Sequence, residues 1–197
     1  YNTSYTDIAV DEDGFAFALD AYSGRVFWFD DVGIQQAIFG GSGAYLGAFT
    51  QAVAVDTLGD AVLVLDGTRG SITVFEPTYF GEIVKQAFIL FNSGFYAESK
   101  DLFEEIVRMD ANYDWAYVGL GRACYEEGDW EKAKFYFEHS GISTGWYSVV
   151  KEEIRNQNMK EHFTGIFFGI IAGCAVIIIA GKLLAAILAE RRKHSAG

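Results

Sequence analysis

The acidic residues near the N-terminus are the first in this sequence whose types could do chemistry. The run DEDG at 11–14 places three carboxylates before a glycine, and these are the residue types of a calcium-binding loop. It lacks the alternating ligands and the distal glutamate that such a loop needs, so it predicts a turn between strands. Asp20 and Asp66 recur at matching positions of an internal repeat, which favours hydrogen bonding in turns over catalysis.

Histidine and cysteine, the usual metal ligands and nucleophiles, are few and scattered. His139, His162 and His194 have no partner at ligand spacing. Cys124 and Cys174 lie fifty residues apart, the second inside an apolar run, which excludes a disulfide framework and a zinc site. We find no nucleophile elbow, no phosphate loop and no pair of acids within one motif. The sequence therefore predicts no catalytic residues, no metal, no cofactor and no enzymatic activity.

Composition and charge limit the class of protein further. The 197 residues are 51% hydrophobic and 21% charged, which suits one or two small domains plus a membrane span. The formal charge is −12, and the basic C-terminal tail leaves residues 1–181 at −15, which argues against nucleic acid as a partner. The chain starts with Tyr1 and shows no charged region followed by an apolar one, so we expect a removed signal peptide or a fragment.

The elements that position these residues are indicated by two internal repeats. The first relates residues 7–30 to residues 52–76, with aspartate and glycine matching at spacings of 45 and 46. Within each copy apolar residues alternate with others, and β-branched and aromatic residues are frequent, which predicts half-buried strands. The aspartates and glycines fall between the runs, where turns are expected.

These short strands resemble a known type of propeller blade. IAVDEDGFAFALD, GRVFWFD and IFGG, within residues 5–77, resemble the NHL repeat. The resemblance implies two NHL-like blades at the C-terminal end of a β-propeller. Two blades cannot close a ring, so we expect the remaining blades to lie outside this chain.

The second repeat has a period of 34 residues, which is the tetratricopeptide period. Gly94 matches Gly128 and Phe103 matches Phe137, and GDWEKA supplies the turn between two helices. The resemblance implies two tetratricopeptide hairpins over 78–141, followed by a capping helix over 142–162. It also implies a groove for a protein partner, and the inner-face residues would be Phe88, Phe91, Asn92, Arg122, Tyr125 and Glu126. The aromatic members of this set could equally be core residues.

The C-terminal region predicts a single membrane span. Residues 163–181 hold no charge, and nineteen helical residues extend roughly 28 Å, enough to cross a bilayer. We predict a transmembrane helix over 163–189 and a basic cytoplasmic tail over 190–197, which places residues 1–160 outside the cytoplasm. Gly165, Gly169 and Gly173 recur every four residues and form a smooth face on which another membrane helix could pack.

The expected protein is therefore a multidomain α+β chain with a partial β-propeller, tetratricopeptide hairpins and one transmembrane helix. It resembles bacterial membrane-anchored proteins that combine NHL and tetratricopeptide repeats. The resemblance implies an extracytoplasmic protein–protein interaction scaffold, such as an accessory to a solute-uptake or cell-envelope complex, with the partner bound by the tetratricopeptide groove or the propeller. The alternative is a propeller that binds or hydrolyses a small carbohydrate or lactone. Partner, ligand and oligomeric state stay open at this point.

Overall fold

Seven strands form two antiparallel sheets in the computed structural model, which describes residues 3–142 and 144–194. The first sheet has the order β1-β2-β3-β4 and the second the order β5-β6-β7. The strands are β1 (Tyr5–Val10), β2 (Ala16–Asp20), β3 (Arg25–Phe29), β4 (Gln35–Gly40), β5 (Ala52–Leu58), β6 (Ala61–Asp66) and β7 (Ser71–Phe75). Each strand pairs with its neighbour in sequence, so both sheets are simple meanders.

The internal repeat of the sequence corresponds to the first three strands of each sheet. Asp20 ends β2 and Asp66 ends β6, and each carboxylate accepts hydrogen bonds from the backbone of the turn that follows it. Gly24 and Gly70 close these turns with φ of 67° and 62°, a left-handed conformation that favours glycine. The matching aspartates and glycines are therefore explained by turn geometry, as predicted.

Four helices follow the sheets, and a fifth, much longer helix ends the described chain. Thr78 caps the first helix by accepting a hydrogen bond from the Gly81 N–H, and Asp129 caps the fourth through the Lys132 N–H. Gly94 and Gly128, both at positive φ, lie in the turns after the first and third helices. The helices are α1 (Tyr79–Asn92), α2 (Tyr96–Met109), α3 (Asp114–Glu126), α4 (Trp130–Ser140) and α5 (Thr144–His194).

The two sheets and the first three helices share one hydrophobic core. Leu19 and Val64 from the two sheets, Phe88 from α1 and Phe103 from α2 are each at most 1% exposed and belong to one cluster of buried side chains. Residues 1–147 accordingly form one compact unit. A side chain also links the sheets directly, because the Asp7 carboxylate accepts a hydrogen bond from the Val55 N–H at 2.9 Å.

The predicted fold class is wrong. We expected a partial propeller of two NHL-like blades followed by tetratricopeptide hairpins, but the described residues form two small antiparallel sheets and five helices, with neither blades nor such hairpins evident. A 45-residue period indicates repeated hairpins and turns. Two separate meander sheets have the same period, so the period does not require a propeller ring. A 34-residue spacing is met by consecutive helices of 11 to 14 residues joined by short turns.

The second compact unit, residues 148–197, is helical in its described part up to His194. The helical segment Gly145–Lys182 is long and apolar enough to cross a membrane, judged by length and composition. The apolar side chains of this segment, such as Ile166, Phe168 and Ile177, are 60–72% exposed. These features are compatible with single-pass membrane anchoring near the C-terminus.

Candidate functional site

Lys85 of α1 is the centre of an acidic cluster that joins the helix to both sheets. Its Nζ lies 3.0 Å from an Asp11 oxygen, 2.6 Å from an Asp13 oxygen and 2.8 Å from an Asp60 oxygen. Asp11 and Asp13 belong to the turn between β1 and β2, and Asp60 to the turn between β5 and β6. The DEDG run thus forms a turn, as predicted, and its carboxylates bind a lysine of the same chain.

These three carboxylates stabilise the protonated form of Lys85. Burial alone would lower the pKa of Lys85, but hydrogen bonds to Asp13, Asp60 and Asp11 outweigh it, so this pKa lies above its ordinary value. A raised lysine pKa stabilises the folded state at every pH below the unfolded-state pKa, and the contribution disappears as the pH rises through the folded-state value. Lys85 is therefore charged at neutral pH.

A cavity of about 620 Å³ opens beside this cluster, between the sheets and α1. Aromatic rings form much of its wall, and all but Phe17 are only partly buried although they pack against the core. These rings are Phe17, Trp28, Phe39, Phe75, Phe80 and Tyr113. The polar groups at the cavity are mainly acidic, since Glu76 and Glu82 join Asp11, Asp13 and Asp60 in its lining.

Several polar groups of the cavity lining have no partner among the described residues. The indole N–H of Trp28 is buried without a hydrogen-bond acceptor there. Glu76 and Glu82 form no ion pair with any described side chain, whereas the other carboxylates of the lining bind Lys85. Because a buried donor without an acceptor costs free energy, the Trp28 indole is a locally unfavourable feature of the cavity wall.

A buried polar network lies at one end of the cavity. The Tyr113 hydroxyl donates to the Gln36 side-chain oxygen, and the Gln36 amide donates to Asp30 at 3.2 Å. Burial, followed by the nearby charge of Asp30, raises the pKa of Tyr113, so its hydroxyl stays protonated. Asn92 at the end of α1 donates to both Asp30 and Asp31. These contacts fix the end of α1 to the turn between β3 and β4.

Three of the six predicted partner-binding residues lie together in a second cluster. The Arg122 guanidinium lies 4.1 Å from the ring centroid of Trp146, 4.8 Å from that of Tyr96 and 5.5 Å from that of Tyr125. It also pairs with the Glu126 carboxylate at 2.8 Å. Arg122 is thus enclosed by rings and is only 18% exposed, so replacing it with glutamate would disturb packing as well as charge.

The other three predicted residues differ in how far they are exposed. Phe88 is 1% exposed in the shared core and offers no surface to a partner. Phe91 packs edge to face against Tyr96 and Phe103 at the margin of that core. Asn92 is engaged by the turn after β3, as described above. Phe91 and Arg122 both contact the Tyr96 ring, and partner binding by the exposed members of the set stays a prediction.

The second sheet presents an uncovered apolar face. Its register places Leu65 opposite Ile72 and Leu63 opposite Val74, all four on the face away from the core. Leu65, Ile72 and Val74 are 38%, 61% and 55% exposed. We call these four residues the outer face of the second sheet.

The matching positions of the first sheet are covered. The repeat aligns Leu19 with Leu65 and Val26 with Ile72, yet Leu19 and Val26 are both 0% exposed. They belong to the same buried cluster as Val62 and Val64 of the second sheet. The same apolar pattern is therefore buried by a second sheet in one copy of the repeat and left open in the other.

The remaining sequence candidates are the possible metal ligands, the cysteine thiols and the glycines of the membrane helix. No group of three histidine, cysteine or acidic side chains among the described residues is arranged to hold a metal ion. Cys124 is buried, and burial raises its thiol pKa, which disfavours the reactive thiolate. An added Cβ at Gly165, Gly169 or Gly173 would meet no atom within 4 Å, so helix packing there stays a prediction.

No family model matches this sequence, and no curated protein matches it either. Function must therefore be argued from the chain itself.

Sequence reasoning missed the residues of the cavity and of the outer face. The cavity rings come from strands and helices up to about a hundred positions apart, so no local motif marks them. Lys85 was the one available signal, because it lies in α1 among the buried residues Ile83, Val84, Ala87 and Phe88. A lysine at such a position needs carboxylate partners.

Proposed function

We propose that this protein is a membrane-anchored, extracytoplasmic interaction module, and that it binds a protein partner on the outer face of the second sheet. The proposal rests on a difference in burial between the two copies of the repeat. Apolar positions that are buried in the first sheet are exposed to solvent in the second. The candidate membrane helix found among the described residues supports the anchoring part of the proposal.

The composition of the strands supports a covered face. β6 reads AVLVLD, a continuous apolar run, and β2 reads AFALD. Strands that are exposed on one side usually alternate apolar and polar residues, whereas continuous runs are typical of strands covered on both sides. Contiguous exposed apolar surface on a folded protein marks an interaction site.

The partner is expected to contribute an apolar sheet surface of its own. In the first sheet the equivalent residues contact the second sheet, whose inward positions are filled by Val62, Val64 and Phe75. A partner face rich in valine and aromatic side chains would fit the outer face in the same way. This site replaces the predicted tetratricopeptide groove, whose aromatic members lie partly in the core.

The alternative function, binding or hydrolysis of a carbohydrate or lactone, required the central channel of a propeller. Because the described residues form no propeller, they provide no central channel for such a site.

The orientation proposed for the span leads to a test on intact cells. We expect external protease to remove residues 1–147, because the basic residues that follow the span favour a cytoplasmic tail. An epitope placed at the C-terminus should resist digestion until the membrane is permeabilised. Digestion of the C-terminal epitope before the N-terminal unit would reverse the orientation.

Lysine at two positions of the outer face is expected to release the partner. Ile72→Lys and Val74→Lys together place two charges on an apolar contact surface, and both positions are exposed, so the fold should persist. On native gels of mildly solubilised host membranes, the wild type should migrate as a larger complex and the double variant as the free chain.

The matched control is Leu46→Lys, because Leu46 is a fully exposed apolar residue in the loop between β4 and β5 and is not one of the four residues of this face. It should leave the complex intact. A complex that survives both lysines, or that is lost equally in the control, would contradict a partner site on the outer face.

A further inference from the structure

We infer that the cavity between the sheets and α1 binds an apolar organic cation, that is, a protonated amine on an aromatic or aliphatic body. The inference goes beyond the proposed partner site, because the cavity lining and the outer face of the second sheet share no residue.

The size and wall of the cavity suit a small organic molecule. Its volume of about 620 Å³ falls in the range of small-molecule sites, which are mostly apolar with a few polar groups. Trp28, Phe39, Phe75 and Phe80 line it and remain partly exposed. Ring faces bury the apolar body of a ligand and also attract a cation.

The charge of the lining selects the sign of the ligand. Five carboxylates and one ammonium line the cavity, and that ammonium, on Lys85, is already bound by three of the five. Glu76 and Glu82 have no ion-pair partner among the described side chains. A cation at the rim would be attracted by these two carboxylates, and an anion would be repelled.

Three ligands of similar shape but different charge test whether the cavity selects cations. 3-Phenoxypropylamine is the cation, 3-phenoxypropanol the neutral analogue and 3-phenoxypropanoate the anion. Calorimetry with the full chain in phosphatidylcholine nanodiscs, corrected with empty nanodiscs, should show the amine binding at least about tenfold tighter than the alcohol, a difference of about 1.4 kcal/mol. The carboxylate should not bind measurably.

A matched pair of variants locates the binding. Glu82 and Glu98 each lie in the first turn of a helix, but only Glu82 lines the cavity. Glu82→Gln should weaken amine binding about fivefold, and Glu98→Gln should leave it unchanged. Equal affinity for amine and alcohol, no binding of the amine, or equal effects of the two variants would overturn the inference. None of these outcomes bears on the partner site, whose test uses other residues.

Discussion

Replacing Gly119 with alanine is expected to destabilise the N-terminal unit by roughly 2 kcal/mol or more. The added Cβ would overlap the ring of Phe103, whose Cζ would lie 2.6 Å away. That ring is 0% exposed and is held edge to face by Phe88 and Phe91, so it has little room to move. Without the clash the same change would gain about 1 kcal/mol of helix propensity, so the sign of the effect is decisive.

Urea denaturation followed by tryptophan fluorescence measures this change in the full chain. All four tryptophans lie within residues 1–147, so their emission reports the N-terminal unit alone. Gly81→Ala is the control: its Cβ would meet no atom closer than 3.7 Å, and it should be neutral or stabilising. Phe103→Leu should partly rescue Gly119→Ala. Unchanged or increased stability of Gly119→Ala would show that Phe103 is not packed against α3.

Replacing Lys85 with methionine is expected to cost roughly 2–3 kcal/mol at neutral pH. Methionine keeps the apolar stem but leaves three carboxylates without their shared cation, and the Asp11 side chain is only 4% exposed. The estimate is below that of a fully buried pair because Asp13 and Asp60 are 47% and 70% exposed and are screened by solvent.

The salt dependence of this variant separates charge from packing. Added salt screens the repulsion among the three carboxylates, so the stability gap between Lys85→Met and wild type should narrow as the sodium chloride concentration rises. The control is Lys132→Met, because Lys132 is an exposed lysine paired with Asp129, and its loss should change stability little. A gap that is the same at low and high salt would mean that Lys85 acts through its stem alone.

Local features of the fold could be predicted from the sequence, because their causes are local. The alternation of apolar with other residues predicted the strands, and glycine and aspartate predicted the turns at Gly24 and Gly70. The uncharged run predicted the long C-terminal helix. The packing of these elements could not be predicted in the same way. Lys85 meets carboxylates 25 and 74 positions away, and Asn92 reaches Asp31 across 61 positions.

The candidate partner residues show the same limit. Helical spacing placed Phe88 and Arg122 at equivalent positions of two repeats, but spacing does not state which neighbour covers each position. The sheets and α2 enclose Phe88, while aromatic rings surround Arg122. The sequence does not predict the outer face of the second sheet, because Leu65 and Leu19 occupy the same position of the repeat and differ only in burial.

The proposed partner site is tested most directly by photo-crosslinking from Ile72 in intact cells. A photoreactive amino acid at this exposed position should crosslink one other protein, identified by mass spectrometry, with the crosslinked residue on an apolar sheet surface of that protein. The same group at Leu46 should not crosslink it. A product at twice the chain mass of 21.8 kDa, containing two copies of this chain, or no product at all, would contradict the account.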